Sequence, residues 1–168
     1  MRYLIADTHF GHANIIKYCN RPFTTVNEMD AEIVRRWNSV VTNEDIVYFL
    51  GDFALGQSIR VREYRYMLNG QIEMVMGNHD HRSVGFWAKI GIKANKKPII
   101  IDDMIFSHAP VMFPELPNIH GHTHNNPTNI GGIHICVSVE QIDYTPISLD
   151  KIKERVVHAQ QMVLDGQN

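Results

Sequence analysis

Ile72-Glu73-Met74-Val75-Met76-Gly77-Asn78-His79-Asp80 is the stretch from which the fold is read. A mostly apolar run of five residues stops at a glycine, and three side chains carrying lone pairs or charge follow at once. A run of this length suits a strand covered on both faces. Residues 2–6 and 45–50 repeat the plan, ending in Asp7 and in Gly51-Asp52. Helical patterns lie between these runs. Residues 25–41 carry Val26, Met29, Ile33, Trp37 and Val40 at spacings of three and four, and Thr25 with Glu28 forms a capping-box pair. Residues 58–68, stopped by Asn69-Gly70, and 82–90, stopped by Gly91, predict two more helices.

The second half has a different rhythm. Residues 98–101 and 104–107 flank Asp102-Asp103, a pair suited to a tight hairpin turn. Residues 118–121 and 133–139 are further short strands, separated by a loop rich in Pro, Asn and Gly. Ser148 caps a last helix with Leu149, Ile152, Val156 and Val163 on one face. Early βαβ units followed by hairpins imply an α/β protein, built on one mixed sheet or on two packed sheets with helices outside.

Composition bounds the rest. The 168 residues suit one domain spanning 1–168, without repeats or linkers, and 44% apolar content supports a core. A net charge of −2 removes any blanket electrostatic case for nucleic acid. No apolar run approaches the ~18 residues of a membrane span. The amino-terminal run turns acidic at Asp7 before a signal-type core develops. Cys19 and Cys136 are too far apart in sequence to suggest a disulfide framework or a zinc pair, so buried thiols in a reducing cytoplasm are expected.

Ten histidines remain to be explained, and they cluster. Asp7-Thr8-His9, Gly51-Asp52, Gly77-Asn78-His79-Asp80, Ser107-His108 and Gly121-His122-Thr123-His124 each follow an apolar run, hence each opens a loop at a strand's carboxyl end. That edge is where α/β sheets bind ligands. Asp-x-His and His-x-His put both side chains on one side if the backbone is extended. Imidazole with carboxylate suits first-row divalent metals better than calcium or magnesium.

In this order the five segments resemble the signature of the calcineurin-like metallophosphoesterases, over the stretch from Asp7 to His124. The resemblance implies a four-layer αββα sandwich, two mixed β-sheets flanked by helices, with two divalent metal ions at one edge. It assigns Asp7, His9, Asp52 and His124 to one ion, and Asp52, Asn78, His108 and His122 to the other, with Asp52 bridging. His79 is implied as the catalytic imidazole. Manganese, nickel, iron or zinc are the expected metals. Two ions bring four positive charges against two from Asp7 and Asp52, and the surplus suits a hydroxide and a phosphate. Gly51-Asp52-Phe53-Ala54-Leu55-Gly56 lacks the acidic residue and arginine that follow Gly-Asp in the phosphoprotein-phosphatase branch. The expected substrates are therefore phosphodiesters or small phosphorylated compounds, nucleotides or a nucleic-acid end included, with no membrane and no obligate protein partner. A phosphomonoesterase, or an idle module on the same fold, is the alternative; the complete ligand set favours an enzyme.

Of the remaining residues, His12 is expected at the mouth of the site. Arg21 could supply a guanidinium for phosphate, set against a surface arginine propped by a turn. His120 is read as structural, Arg60, Arg62 and Arg65 as a solvated helix face.

Overall fold

A computed structural model describes residues 1–128 and 130–166. Strands β1 (Arg2–Ile5), β2 (Ile46–Phe49), β3 (Gln71–Val75) and β4 (Ile92–Asn95) run parallel, in the order β4-β3-β2-β1. β9 (Ile147–Ser148) closes that sheet by pairing antiparallel with β1. The second sheet is β5 (Ile99–Ile101), β6 (Met104–Phe106), β7 (Asn118–His120) and β8 (His134–Cys136), antiparallel at β5–β6 and parallel thereafter. Both sheets are mixed, and helices flank them.

The crossovers supply the helices. α1 (Ala13–Tyr18) and α2 (Val26–Val40) link β1 to β2, α3 (Ser58–Met67) links β2 to β3, and α4 (Val84–Lys89) links β3 to β4. Thr25 caps α2 as expected, accepting from the Glu28 amide, but the Glu28 carboxylate reaches back to Thr24 rather than to Thr25. α5 (Leu149–Leu164) starts at its Ser148 cap and packs against β1, β8 and β9.

Strand β2 shows how the layers meet. Tyr48 turns to the second sheet, its ring 5.2 Å from Phe106, while Phe49 faces Trp37 of α2 on the other side. Trp37 and Trp87 are completely buried. Truncating either to alanine would cost about 3–5 kcal/mol.

Three expectations need correction. Among the described residues only β5–β6 is a hairpin; its turn residues Asp102 and Asp103 both have positive φ, the two-residue geometry that matches strand twist. β6, β7 and β8 are instead parallel neighbours, joined by long loops. The strand expected over 133–139 is cut to β8, after which Ser138 bridges to Ala6 and ties the second sheet to the end of β1. α1, β4 and β9 were not anticipated: each is six residues or fewer, too short for periodicity to register. Among the described residues no helix is long and apolar enough to cross a membrane.

Candidate metal centre

Six strands deliver their carboxyl ends to one place. β1 leads to Asp7 and His9, β2 to Asp52, β3 to the 77–80 turn, β6 to His108, β7 to His122 and His124, and β8 to Ser138 and Glu140. Backbone bonds stitch these ends together. The Asp7 amide donates to Gly51 O, the His9 amide to Asp52 O, the Gly121 amide to His108 O, and the Val137 amide to His120 O. Gly77 and Gly121 are required by crowding: a Cβ on Gly77 would collide with Asp52 Oδ1, and one on Gly121 with Asp7 Oδ2.

The chain is not extended where the ligands sit. Asp7, His9, Asp52, His122 and His124 all have φ between +49° and +68°. The i, i+2 pairs therefore converge through left-handed turns rather than through strand pleat, which corrects the expected geometry. Asp and His tolerate this region better than most residues, yet each such site costs on the order of 1 kcal/mol and persists because its surroundings fix it.

One group of ligand atoms comprises Asp7, His9 and His124. The His124 Nδ1–H donates to the Glu140 carboxylate at 3.1 Å, so Nε2 is the nitrogen that would take a metal once its proton is displaced. Arg21 lies behind, its side chain wholly buried, with Nε on Glu140 Oε1 at 2.8 Å, Nη1 on Thr8 O at 2.9 Å and Nη2 on Asp7 O at 2.7 Å. This corrects the expectation for Arg21. Its guanidinium is neither at the surface nor aimed at a substrate; it clamps the Asp7–Thr8 backbone to Glu140. Asp7 Oδ2 accepts from Ser138 Oγ at 2.6 Å and from the His122 amide at 2.8 Å.

The second group gathers around His108. Its Nδ1–H donates to Leu50 O at 2.9 Å, which fixes the tautomer and turns a bare Nε2 outward. Asn78 Oδ1 at 2.8 Å, His122 Nδ1 at 3.1 Å and Asp52 Oδ2 at 3.6 Å face that nitrogen. Asp52 Oδ2 also lies 3.5 Å from His9 Nε2, so it stands between the two groups. Asp80, by contrast, faces backbone: its carboxylate accepts from the Asp52, Phe53 and Gly77 amides at 2.8–3.1 Å.

The donor set suits cations. Asp7 Oδ1 and both ring nitrogens of His9 are buried with no hydrogen-bond partner in the described chain. Buried polar atoms are seldom left unpaired, and lone pairs converging from carboxylates, an amide oxygen and imidazoles are what a divalent metal takes. Burial above all pushes Asp7 up to about 6 against His108 and His124, and holds His9 down near 2, hence neutral. Burial opposes the charged form of His124 too, but Cys19, Glu140 and Asp7 outweigh it and carry the imidazole to about 10.

Like Asn78 and His122, His79 is exposed. Its side chain is 45% accessible, its amide donates to Asp52 Oδ1 at 2.9 Å, and its Nε2 lies 4.0 Å from Asp52 Oδ2. Asn78 and His79 share a tight turn, not extended backbone, so both face the cluster. His12 stands at the start of α1 with its ring 5.5 Å from His9. His120 is buried and bonded to Gly121 O and Thr128. Cys19 and Cys136 are half-buried rather than buried. Sequence reasoning missed Glu140, Ser138 and also Asp30, which accepts from the Gly11 amide and from Tyr64 Oη and so holds the loop after His9, and it named Asp80 without assigning it a role. The one available signal was Glu140 just beyond a strand end.

Comparison with known proteins completes the picture. Residues 3–155 match a family described as calcineurin-like phosphoesterase. An uncharacterized protein of Methanocaldococcus jannaschii is 44% identical over 158 residues, covering 89% of this chain and 88% of its own. A solved protein of unknown function from Aquifex aeolicus superposes with a TM-score of 0.72 at 26% identity, over 92% of this chain and 98% of its own. A nuclease from Pseudomonas putida shares the fold, with a TM-score of 0.52 at 21% identity over 73% and 61% of the two chains.

Proposed function

The chain belongs to the calcineurin-like phosphoesterase family, and from that premise we propose that it is a two-metal hydrolase of phosphodiesters or other small phosphate esters. One observation carries this reading: Asp52 Oδ2 lies 3.5 Å from His9 Nε2 and 3.6 Å from His108 Nε2, so a single carboxylate oxygen serves two imidazole groups. Asp7, His9, Asp52 and His124 would hold one ion, and Asp52, Asn78, His108 and His122 the other. Bound metals supply Lewis acidity and an acidified water at neutral pH.

The chain's own residues do the rest. Arg21, Glu140 and Ser138 keep Asp7 and His124 in place, so no reorganisation is needed when charge develops. The Leu50 carbonyl and the Asp80 carboxylate do the same for His108 and Asp52. His79, exposed beside Asp52, donates a proton to the leaving oxygen or holds its charge. The neutral residues after Asp52 (Phe53, Ala54, Leu55 and Gly56) leave His79 without a second acidic partner there, which fits diesters and small substrates better than phosphoproteins. Nucleotides and nucleic-acid ends are within that substrate class.

The test is hydrolysis of a chromogenic phosphodiester by protein stripped of metal, before and after manganese or nickel is returned. Activity should vanish and come back. Undiminished turnover by protein shown metal-free by elemental analysis would sink the reading.

A further inference from the structure

From His79 a cleft of about 520 Å³ runs outward between the loop after β2 and the loop after β3. Leu55 and Gly56 form one wall, held by the Leu55 amide on Phe10 O. His81 and Arg82 form the other, continuing the turn that carries His79, whose ring lies 6.4 Å from that of His81. Arg82, which lines the cleft, and Arg62, which does not, lie over the same Phe86 ring, their guanidinium carbons 5.3 and 5.7 Å from its centre.

The charges here are uncompensated. Glu63, next to Arg62 in sequence, pairs with Arg60, and Asp80, two residues before Arg82, is buried and accepts from three amides. Among the described residues neither Arg62 nor Arg82 has a carboxylate within ion-pair distance, although Arg82 donates to Gly56 O. Two guanidiniums without counterions, propped on an aromatic face and opening on a cleft that begins at the exposed imidazole, are suited to an anion with several acceptor oxygens.

We propose that this cleft is a subsite for a second phosphate of the substrate, on the leaving-group side of the scissile ester. Arg82 is its anchor and Arg62 adds charge at the mouth. The preferred substrates are then diesters whose leaving group itself carries phosphate, as in terminally phosphorylated short oligonucleotides. This rests on the reading of His79 as facing the leaving oxygen.

The experiment compares a dinucleotide diester with the same dinucleotide bearing a terminal phosphate, on the metal-loaded wild type and on Arg82→Ala and Arg62→Ala. The wild type should prefer the phosphorylated form in kcat/KM, mainly through KM. Arg82→Ala should lower that preference about tenfold or more, and Arg62→Ala by less, with both losses shrinking in high salt. A fluorescent dinucleotide followed by anisotropy reads binding without turnover. If neither dinucleotide is hydrolysed yet the phosphorylated one binds better and loses that advantage in Arg82→Ala, the subsite stands and the hydrolase reading falls. Equal preference in wild type, or a preference untouched by both substitutions, overturns the subsite. An equal loss on both dinucleotides in Arg82→Ala, with no effect of Arg62→Ala, assigns Arg82 to holding the Gly56 loop and overturns it too.

Discussion

The two halves of the centre share Asp52 but are fixed by different physics. Around Asp7, His9 and His124 the support is ionic and distant: a buried Arg21–Glu140 pair, joining residues 119 apart, reaches Asp7 through its carbonyl and His124 through its Nδ1. Around Asn78, His108 and His122 the support comes from backbone groups: the Leu50 carbonyl holds His108, and the Asp80 carboxylate accepts from three amides that include that of Asp52. The first half is the more buried, with His124 partly accessible; the second, with Asn78 and His122 exposed, adjoins His79 and its cleft. A buried ion pair contributes little net stability but is costly to break, about 3–5 kcal/mol when one partner is removed. Changes of charge should therefore damage the first half selectively, and changes of backbone geometry the second.

Asp52, common to both halves, gives the largest expected effect. Asp52→Asn should empty both metal positions and reduce turnover by more than any change outside the ligands, whereas Asp7→Asn should empty mainly one. Metal counting decides, and two full equivalents retained by Asp52→Asn would remove the bridging role. Next comes His79→Ala, which should keep both metals and lose about 10²–10⁴-fold in kcat. The loss should be greatest for poor leaving groups and smallest for nitrophenyl esters. Loss of a metal equivalent would make His79 a ligand, and normal turnover with both metals bound would end its role as proton donor.

Glu140→Gln should act on the first half alone. Removing the carboxylate behind a ligand histidine weakens metal binding about 10–100-fold, here for one equivalent by manganese calorimetry, with the other unmoved. Equal weakening of both would erase the distinction between the halves. The smallest effect is that of pH. Asp7 titrates at about 6 in the folded chain, above the usual carboxyl value, so burial favours its protonated form; without metal its ionisation costs stability as pH rises towards 6. His124 holds its proton up to about 10. A metal entering the first half must displace the His124 proton between pH 6 and 10, and the Asp7 proton as well below 6. Its apparent affinity should rise about tenfold per pH unit above 6, and more steeply below. Manganese titrations at pH 5.5, 6.5 and 7.5 check the slope, and a flat response in the first half would contradict it.

How legible all this was in the sequence depended on range. The five ligand-bearing segments could be found because each follows a local apolar run, and the structure gathers all of them. Their backbone could not: left-handed φ at His9, His122 or His124 is imposed by contacts with other segments, and nothing in Asp-x-His announces it. Arg21 was misread because its oxygen acceptors are two backbone carbonyls, which no side-chain pattern marks, and a carboxylate 119 residues away. The parallel pairing of β6, β7 and β8 was hidden for a related reason. Long loops, not helices, make those crossovers, so the usual helical signal of a parallel connection is missing.

The hydrogen bond from Ser138 to Asp7 spans 131 residues, and it sets an order of events in the life of the chain. Asp7 leaves the ribosome more than a hundred residues before its partners His122, Ser138 and, through Arg21, Glu140. Contacts of such separation are made late, because loop closure must be met before they repay it. Until then the Asp7 and His9 turns are held only from one side, by the 51–53 segment and Arg21, and a nascent chain stopped before residue 122 would carry several candidate ligands but no complete centre. If the first half holds a metal as proposed, its capture would report that the whole fold has closed, and a free cation in the surroundings would act as a latch on the finished molecule rather than as a nucleus for its folding.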